Sequence, residues 1–143
     1  MILRMKKVLK EQRGLTLIEL LAVVVILGII AAIAVPAIGN IIEGQKEKTH
    51  KANAIMILDA AKLYWLDNPS QTGNAVTKKE LLGGEDGTGK KYLDNDPIDP
   101  TKNTAYTKIE VKYGGGNPTL TLDDYYQDKS RDYIVKSDKT DKK

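Results

Sequence analysis

The sequence predicts an α+β fold in which one long N-terminal helix lies partly in a membrane and packs its remaining length on a small antiparallel sheet. Three features carry that reading. Residues 20–39 (LLAVVVILGIIAAIAVPAIG) form an unbroken apolar run, which at about 1.5 Å per residue is about 30 Å long, the thickness of a bilayer's hydrocarbon core. Past that run, Ala54, Ile57, Leu58, Ala61 and Trp65 recur at helical spacing, so the helix continues with one apolar face. Residues 105–113 (AYTKIEVKY) then alternate, the period of a strand with one buried face.

Taken in order, residues 1–14 hold Arg4, Lys6, Lys7, Lys10 and Arg13 against Glu11, a net charge of +4 within a total of +3. This basic leader precedes the apolar run, so the positive-inside rule puts the N-terminus in the cytoplasm and the rest outside. Residues 15–42 form the membrane helix and contain one charged residue, Glu19. A secretory signal peptide would have an apolar region of about 7–15 residues followed by a small-residue cleavage site. Here the run is longer and continues in helical style, which predicts a retained segment. Residues 43–67 are its amphipathic continuation, stopped by Asp67, Asn68 and Pro69, because the residue before proline is biased away from helix.

Residues 68–136 are expected to form the globular part. Thr77 and Glu80 have capping-box spacing, with Val76 and Leu81 as a hydrophobic staple, and the short helix they open is expected to end at Gly83 and Gly84. After the strand at 105–113, residues 114–118 (GGGNP) turn the chain, residues 119–122 return it, and Tyr133, Ile134 and Val135 are predicted as a third strand. Residues 137–143 (SDKTDKK) lack apolar content and are expected to be disordered.

Composition narrows the function classes. A chain of 143 residues is one modest domain. It has no Cys and one His, His50, which removes disulfides, thiolate metal sites and Cys nucleophiles and leaves little for proton transfer near neutral pH. An enzyme is not expected. The isoelectric point of about 8.9 comes from the first 14 residues, and the body has nothing that recommends nucleic acid as a partner.

The stretch Gly14-Leu15-Thr16-Leu17-Ile18-Glu19-Leu20 resembles the processing site of type IV prepilins and pseudopilins, a G-F-T-L-x-E pattern behind a short basic leader. The resemblance implies that a prepilin peptidase cuts between Gly14 and Leu15 and methylates the amine of Leu15. Leu15 itself departs from the family's usual Phe. Gly28 and Pro36 fall at the family's helix-weakening positions and bound a segment that loses helicity in resembling filaments. The Glu at the position of Glu19 neutralises a neighbouring subunit's N-terminal amine in that family and sets filament register. Tyr92-Leu93, Asp96-Pro97 and Asp99-Pro100 are similar to the Y-L…D-P region of major pseudopilins and Gram-positive pilins, although pilins with a C-terminal disulfide differ from this Cys-free chain.

The fold so implied is the pilin lollipop, and the function is structural. Such a protein is held in the cytoplasmic membrane, then extruded by an assembly ATPase and a membrane platform protein, with minor pilins, into an extracellular helical homopolymer. Adhesion, twitching motility, DNA uptake and secretion are the tasks of such filaments. The alternatives are a minor pilin or a secretion or competence pseudopilin and, outside the family, a single-pass anchored binding module. No cofactor is implied beyond Ca²⁺, which some resembling pseudopilins bind.

Chemistry supports a partner for Glu19, because a carboxylate within a membrane helix costs about 2.5–3.5 kcal/mol on insertion scales. The plainer alternative leaves it at the headgroup boundary. Pro36 cannot donate to the Ala32 carbonyl, at a cost of about 3 kcal/mol in a helix interior, and Gly28 adds backbone entropy. Membrane helices tolerate both residues. Residues 84–91 (GEDGTGKK) fall short of a phosphate-binding loop and read as a polar turn. Asp94, Asn95, Asp96, Asp99, Asp123, Asp124 and Asp128 read as turn formers. Ca²⁺ is the secondary reading there, since it needs six to eight oxygens and no D-x-[DN]-x-[DN]-G loop occurs. His50 is expected at the solvated surface. Tyr125, Tyr126 and Tyr133 either pack on the sheet or form an exposed adhesive patch.

Overall fold

A computed structural model describes residues 16–84, 89–113 and 116–137. The basic leader, Gly14, Leu15 and residues 138–143 of the tail lie outside the described residues, as do residues 85–88 of the polar turn. The chain divides into two compact units, Met1–Ile42 and Glu43–Lys143. Helix α1, Leu17–Asp67, begins in the first and ends in the second.

In the first unit α1 has no inner face. Every Leu, Ile and Val from Leu17 to Ile42 is exposed, and a helix that is apolar all round and uncovered by its own chain requires a lipid or protein environment. The helix is long and apolar enough to cross a membrane by length and composition.

In the second unit one stripe of α1 is buried, made by His50, Ala54, Ile57, Leu58, Ala61 and Trp65 at steps of three and four residues. Asn68 closes the helix, its N–H and its side-chain amide both donating to the Tyr64 carbonyl at 2.9 Å. A 3₁₀ turn, Pro69–Gln71, follows. Strand β1, Val76–Thr77, leads into α2, Lys78–Leu81, whose N-terminus carries the Thr77–Glu80 capping box. Gly83 (φ +100°) and Gly84 (φ +89°) end this helix in left-handed conformations. A side chain at Gly83 would also bring its Cβ to 2.8 Å from the Gly89 carbonyl oxygen, so the position accepts only glycine.

Strands β4 (Ile109–Lys112), β5 (Thr119–Leu122) and β6 (Tyr126–Ser130) complete an antiparallel sheet of order β1-β4-β5-β6. A separate two-stranded ladder pairs β2 (Ile98–Asp99) with β3 (Thr104–Ala105). Leu58, Leu81, Tyr106, Val111, Leu120 and Leu122 are among the residues that join the helix to the sheet in one core. The α+β architecture expected from the sequence is the one observed.

Three local expectations are corrected. The alternation over 105–113 is not one strand: Ala105 pairs in the small ladder, and the chain re-enters the main sheet at Ile109. Between them the Asp123 carboxylate takes the N–H groups of Thr107 at 3.3 Å and Lys108 at 2.6 Å. Freed from strand parity, Tyr106 is fully buried, whereas strict alternation over 105–113 places it on the face opposite Ile109 and Val111. The third returning strand is β6, which is mostly polar and carries a register shift between Leu120 and Leu122, with Asp128 at φ +49°. Tyr133, Ile134 and Val135 instead belong to α3, Arg131–Lys136, because Ser130 caps it by accepting the Tyr133 N–H. Finally, His50 is buried, among partners described below.

Candidate assembly site on the apolar helix

Glu19 stands in the first turn of α1, where the helix dipole favours negative charge. Thr16 immediately precedes the helix. Its N–H and its hydroxyl both donate to Glu19 Oε2 at 2.8 Å, and the Glu19 N–H donates back to Thr16 Oγ1 at 3.3 Å. This reciprocal pairing is a capping box. It is also the feature that reading Glu19 as an isolated charge misses. The signal was present as T-x-x-E ahead of an apolar run, and it makes Thr16 the residue that orients the carboxylate. Both bonds fall on Oε2. Oε1 makes no hydrogen bond among the described residues, and Thr16 and Glu19 are both exposed.

The structure does not bring the other sequence-selected residues to Glu19. Gly28 and Pro36 lie nine and seventeen residues further on, about 14 and 26 Å along the axis at 1.5 Å per residue, and α1 is helical through both. A Cβ placed on Gly28 would meet nothing within 4 Å, so no close packing inside this chain requires the glycine.

Several carboxylates of the second unit are engaged with the protein itself. Asp99 is fully buried and its Oδ1 accepts the N–H groups of Thr101 at 2.7 Å and Lys102 at 3.1 Å, while the Tyr125 hydroxyl donates to Oδ2 at 3.0 Å. Burial alone would raise its pKa. The two backbone N–H groups and the Tyr125 hydroxyl outweigh that and hold it below the ordinary aspartate value. Burial likewise raises the hydroxyls of Tyr106 and Tyr125. Asp96 Oδ2 lies 2.5 Å from Lys78 Nζ. Asp123 and Asp128 occupy left-handed turn positions. Among the described residues no three His, Cys, Asp or Glu side chains are grouped to hold a metal ion. Tyr125 and Tyr126 are core residues, whereas Tyr133 is exposed, with Lys129 Nζ 4.3 Å from its ring centre.

Similarity to known proteins adds the family. Over 116 residues the chain is 33% identical to the type IV major fimbrial protein FimA of Dichelobacter nodosus strain VCS1703A, a match covering 73% of this chain and 68% of that protein. The chain belongs to the type IV pilin family. A second FimA of Dichelobacter nodosus is 37% identical over 106 residues, 72% of this pilin and 63% of that relative, so just under two thirds of that relative's length is spanned. The type II secretion system core protein G of Pseudomonas aeruginosa is 39% identical over 101 residues, 66% of this chain and 71% of its own. A family model described as the prokaryotic N-terminal methylation motif matches residues 9–35. That span takes in Gly14, Leu15, Thr16, Glu19 and Gly28 and stops one residue short of Pro36. No solved structure matches this pilin.

Proposed function

We propose that this chain is a structural subunit that polymerises into a type IV pilus or pilus-like surface filament. The observation that carries the reading is the helix from Leu17 to Ile42, apolar on every side, with every Leu, Ile and Val exposed and one carboxylate at its start. Such a surface suits two environments in turn, the bilayer and the interior of a bundle of identical helices. The family match supports the second.

In this reading the precursor sits in the cytoplasmic membrane with its basic leader inside and residues 43 onward outside. Prepilin peptidase cuts between Gly14 and Leu15 and the Leu15 amine is methylated. Glu19 then meets the new amine of a neighbouring subunit. Its Oε1 supplies the acceptor, and Thr16 holds the carboxylate in place. A single ion pair in an apolar bundle specifies register more than it adds stability. Residues 28–36 give way when subunits pack, and an assembly ATPase, a membrane platform protein and minor pilins act on the subunit. The chain itself catalyses nothing and needs no cofactor.

A second reading, a pseudopilin of a secretion system, is favoured by the match to core protein G and differs in the task and length of the filament. Purification of surface filaments from the native cell tests both. A pilus yields this protein as the dominant component of long filaments. A pseudopilin yields no long surface filaments, and its deletion blocks export of secreted proteins. A membrane-bound protein that keeps residues 1–14 and never enters a filament would overturn both.

A further inference from the structure

His50 is the chain's one histidine, and although Thr49 and Lys51 flank it on α1, it is 1% exposed. Its partners come from more than fifty residues along the chain. The Tyr106 hydroxyl lies 2.7 Å from Nδ1, Thr101 Oγ1 lies 3.0 Å from Nε2, and the Tyr125 ring stacks on the imidazole at 3.7 Å.

Counting donors assigns the proton. Asn53 Nδ2 donates to the Ile98 carbonyl at 3.0 Å and to the Tyr106 hydroxyl at 3.3 Å. A carbonyl can only accept, so the nitrogen of this amide is the atom facing both. The Tyr106 oxygen therefore receives a proton from Asn53, and its own goes to Nδ1 of His50. Nδ1 is an acceptor, Nε2 carries the hydrogen and gives it to Thr101, and the ring is neutral.

A second proton on the ring would set Nδ1–H against the Tyr106 O–H, leaving a hydroxyl without its acceptor at a position with 0% exposure. The charges around the ring do not cancel that conflict. Asp99 Oδ1 is 3.7 Å from Nε2, but the Asp99 carboxylate already receives two N–H groups and the Tyr125 hydroxyl. Lys102 Nζ stands 3.9 Å from Asp99 Oδ2 and 3.8 Å from Asp123 Oδ2 and places a positive charge on the same carboxylates. On α1, Lys46 lies one turn before the ring, and Lys51 donates to the Ser137 carbonyl at 3.0 Å. Tyr106 and Tyr125 remain neutral hydroxyls.

We propose that His50 is a proton-operated latch: the neutral ring holds residues 97–106 against α1, and its protonation releases them. The sign follows from linkage. The released ring takes up a proton more readily than the latched one, so the contact is complete above about pH 6.5, where imidazole is neutral, and is lost as the pH falls below that. The latch would give a filament subunit an acid-sensitive surface segment, and it does not depend on what the subunit assembles into.

The test uses the full chain in detergent micelles with ¹⁵N-labelled histidine, where one imidazole gives two unobscured nitrogen signals. At pH 7.5 the expected pattern is a bare Nδ1 and a protonated Nε2. Between pH 7.5 and 5, ring protonation and loss of amide protection at Thr101, Lys102, Asn103 and Tyr106 should share one midpoint, with protection falling at least about tenfold. In Tyr106→Phe there is no hydroxyl proton to strand, so the ring should protonate at higher pH with the segment still protected. The proposal is overturned by a ring that protonates in the wild type while these amides stay protected. A neutral ring protonated at Nδ1, or an unchanged midpoint in Tyr106→Phe, would also overturn it. His50→Gln should abolish the acid step; if that variant fails to fold, the wild type and Tyr106→Phe decide.

Discussion

Glu19 and Asp99 are held alike, Glu19 accepting one backbone N–H and Asp99 two from within three residues of itself, but their settings differ. Glu19 is exposed in its unit, with one oxygen engaged by Thr16. Glu19→Ala removes charge from an apolar helix and is expected to insert and be processed as well as the wild type, yet to form filaments only when mixed with wild-type subunits. Membrane fractionation, intact mass and electron microscopy of the variant alone check each part; normal filaments from the variant alone would refute the register role. Asp99 is buried, and removing it takes this acceptor from two N–H groups and the Tyr125 hydroxyl. Asp99→Ala should cost about 2–4 kcal/mol in urea unfolding at pH 7. Because the folded protein holds Asp99 below the ordinary aspartate value, its contribution is complete above about pH 3.9 and is lost as the pH falls through the folded value. Measured in the His50→Gln background, where no acid release intervenes, the gap between proteins with and without Asp99 should therefore narrow between pH 5 and pH 2.

The elements differ in what holds them. Strand β6 and α3 owe their boundary to Ser130, which ends the ladder opposite Thr119 and caps the helix. α2 is a single turn whose capping box supplies much of its stability, so Thr77→Ala should cost about 1 kcal/mol, read as a lower urea midpoint with unchanged slope. In α1 the telling residues are Gly28 and Pro36. The helix runs through both in the subunit, and a side chain at Gly28 has room. Replacing both by Ala should leave insertion intact and slow or stop assembly. A filament structure of the wild type that is α-helical from 28 to 36 would show that both residues are merely tolerated.

The whole chain is two units with opposite relations to water. Glu43–Lys143 buries its own core, whereas the described part of Met1–Ile42 buries almost nothing and depends on lipid or on other copies. A polymer solves the second problem only if the helices enter it without the charged leader. Filament protein is therefore expected to have the mass of residues 15–143, increased by one methyl group. Intact-mass spectrometry checks this, and a mass that includes residues 1–14 would contradict the proposed processing.

What was legible beforehand was carried by local periodicity. The apolar run, the spacing of Ala54, Ile57, Leu58, Ala61 and Trp65, the Thr77–Glu80 box and the glycines after it each constrain a backbone within a few residues, so a linear reading reaches them. The T-x-x-E box at Thr16 is equally local, but reading Glu19 as a lone charge passes over it. His50, Tyr106 and the third strand were of another kind. Nothing near His50 marks it as buried, since its place depends on Tyr106, Thr101 and Tyr125, which fold back from over fifty residues away to satisfy both ring nitrogens. Tyr106 leaves its strand pattern because Asp123, seventeen residues later, captures the neighbouring N–H groups. A polar side chain is buried only when distant partners match its hydrogen bonds, and that pairing is a property of the folded chain.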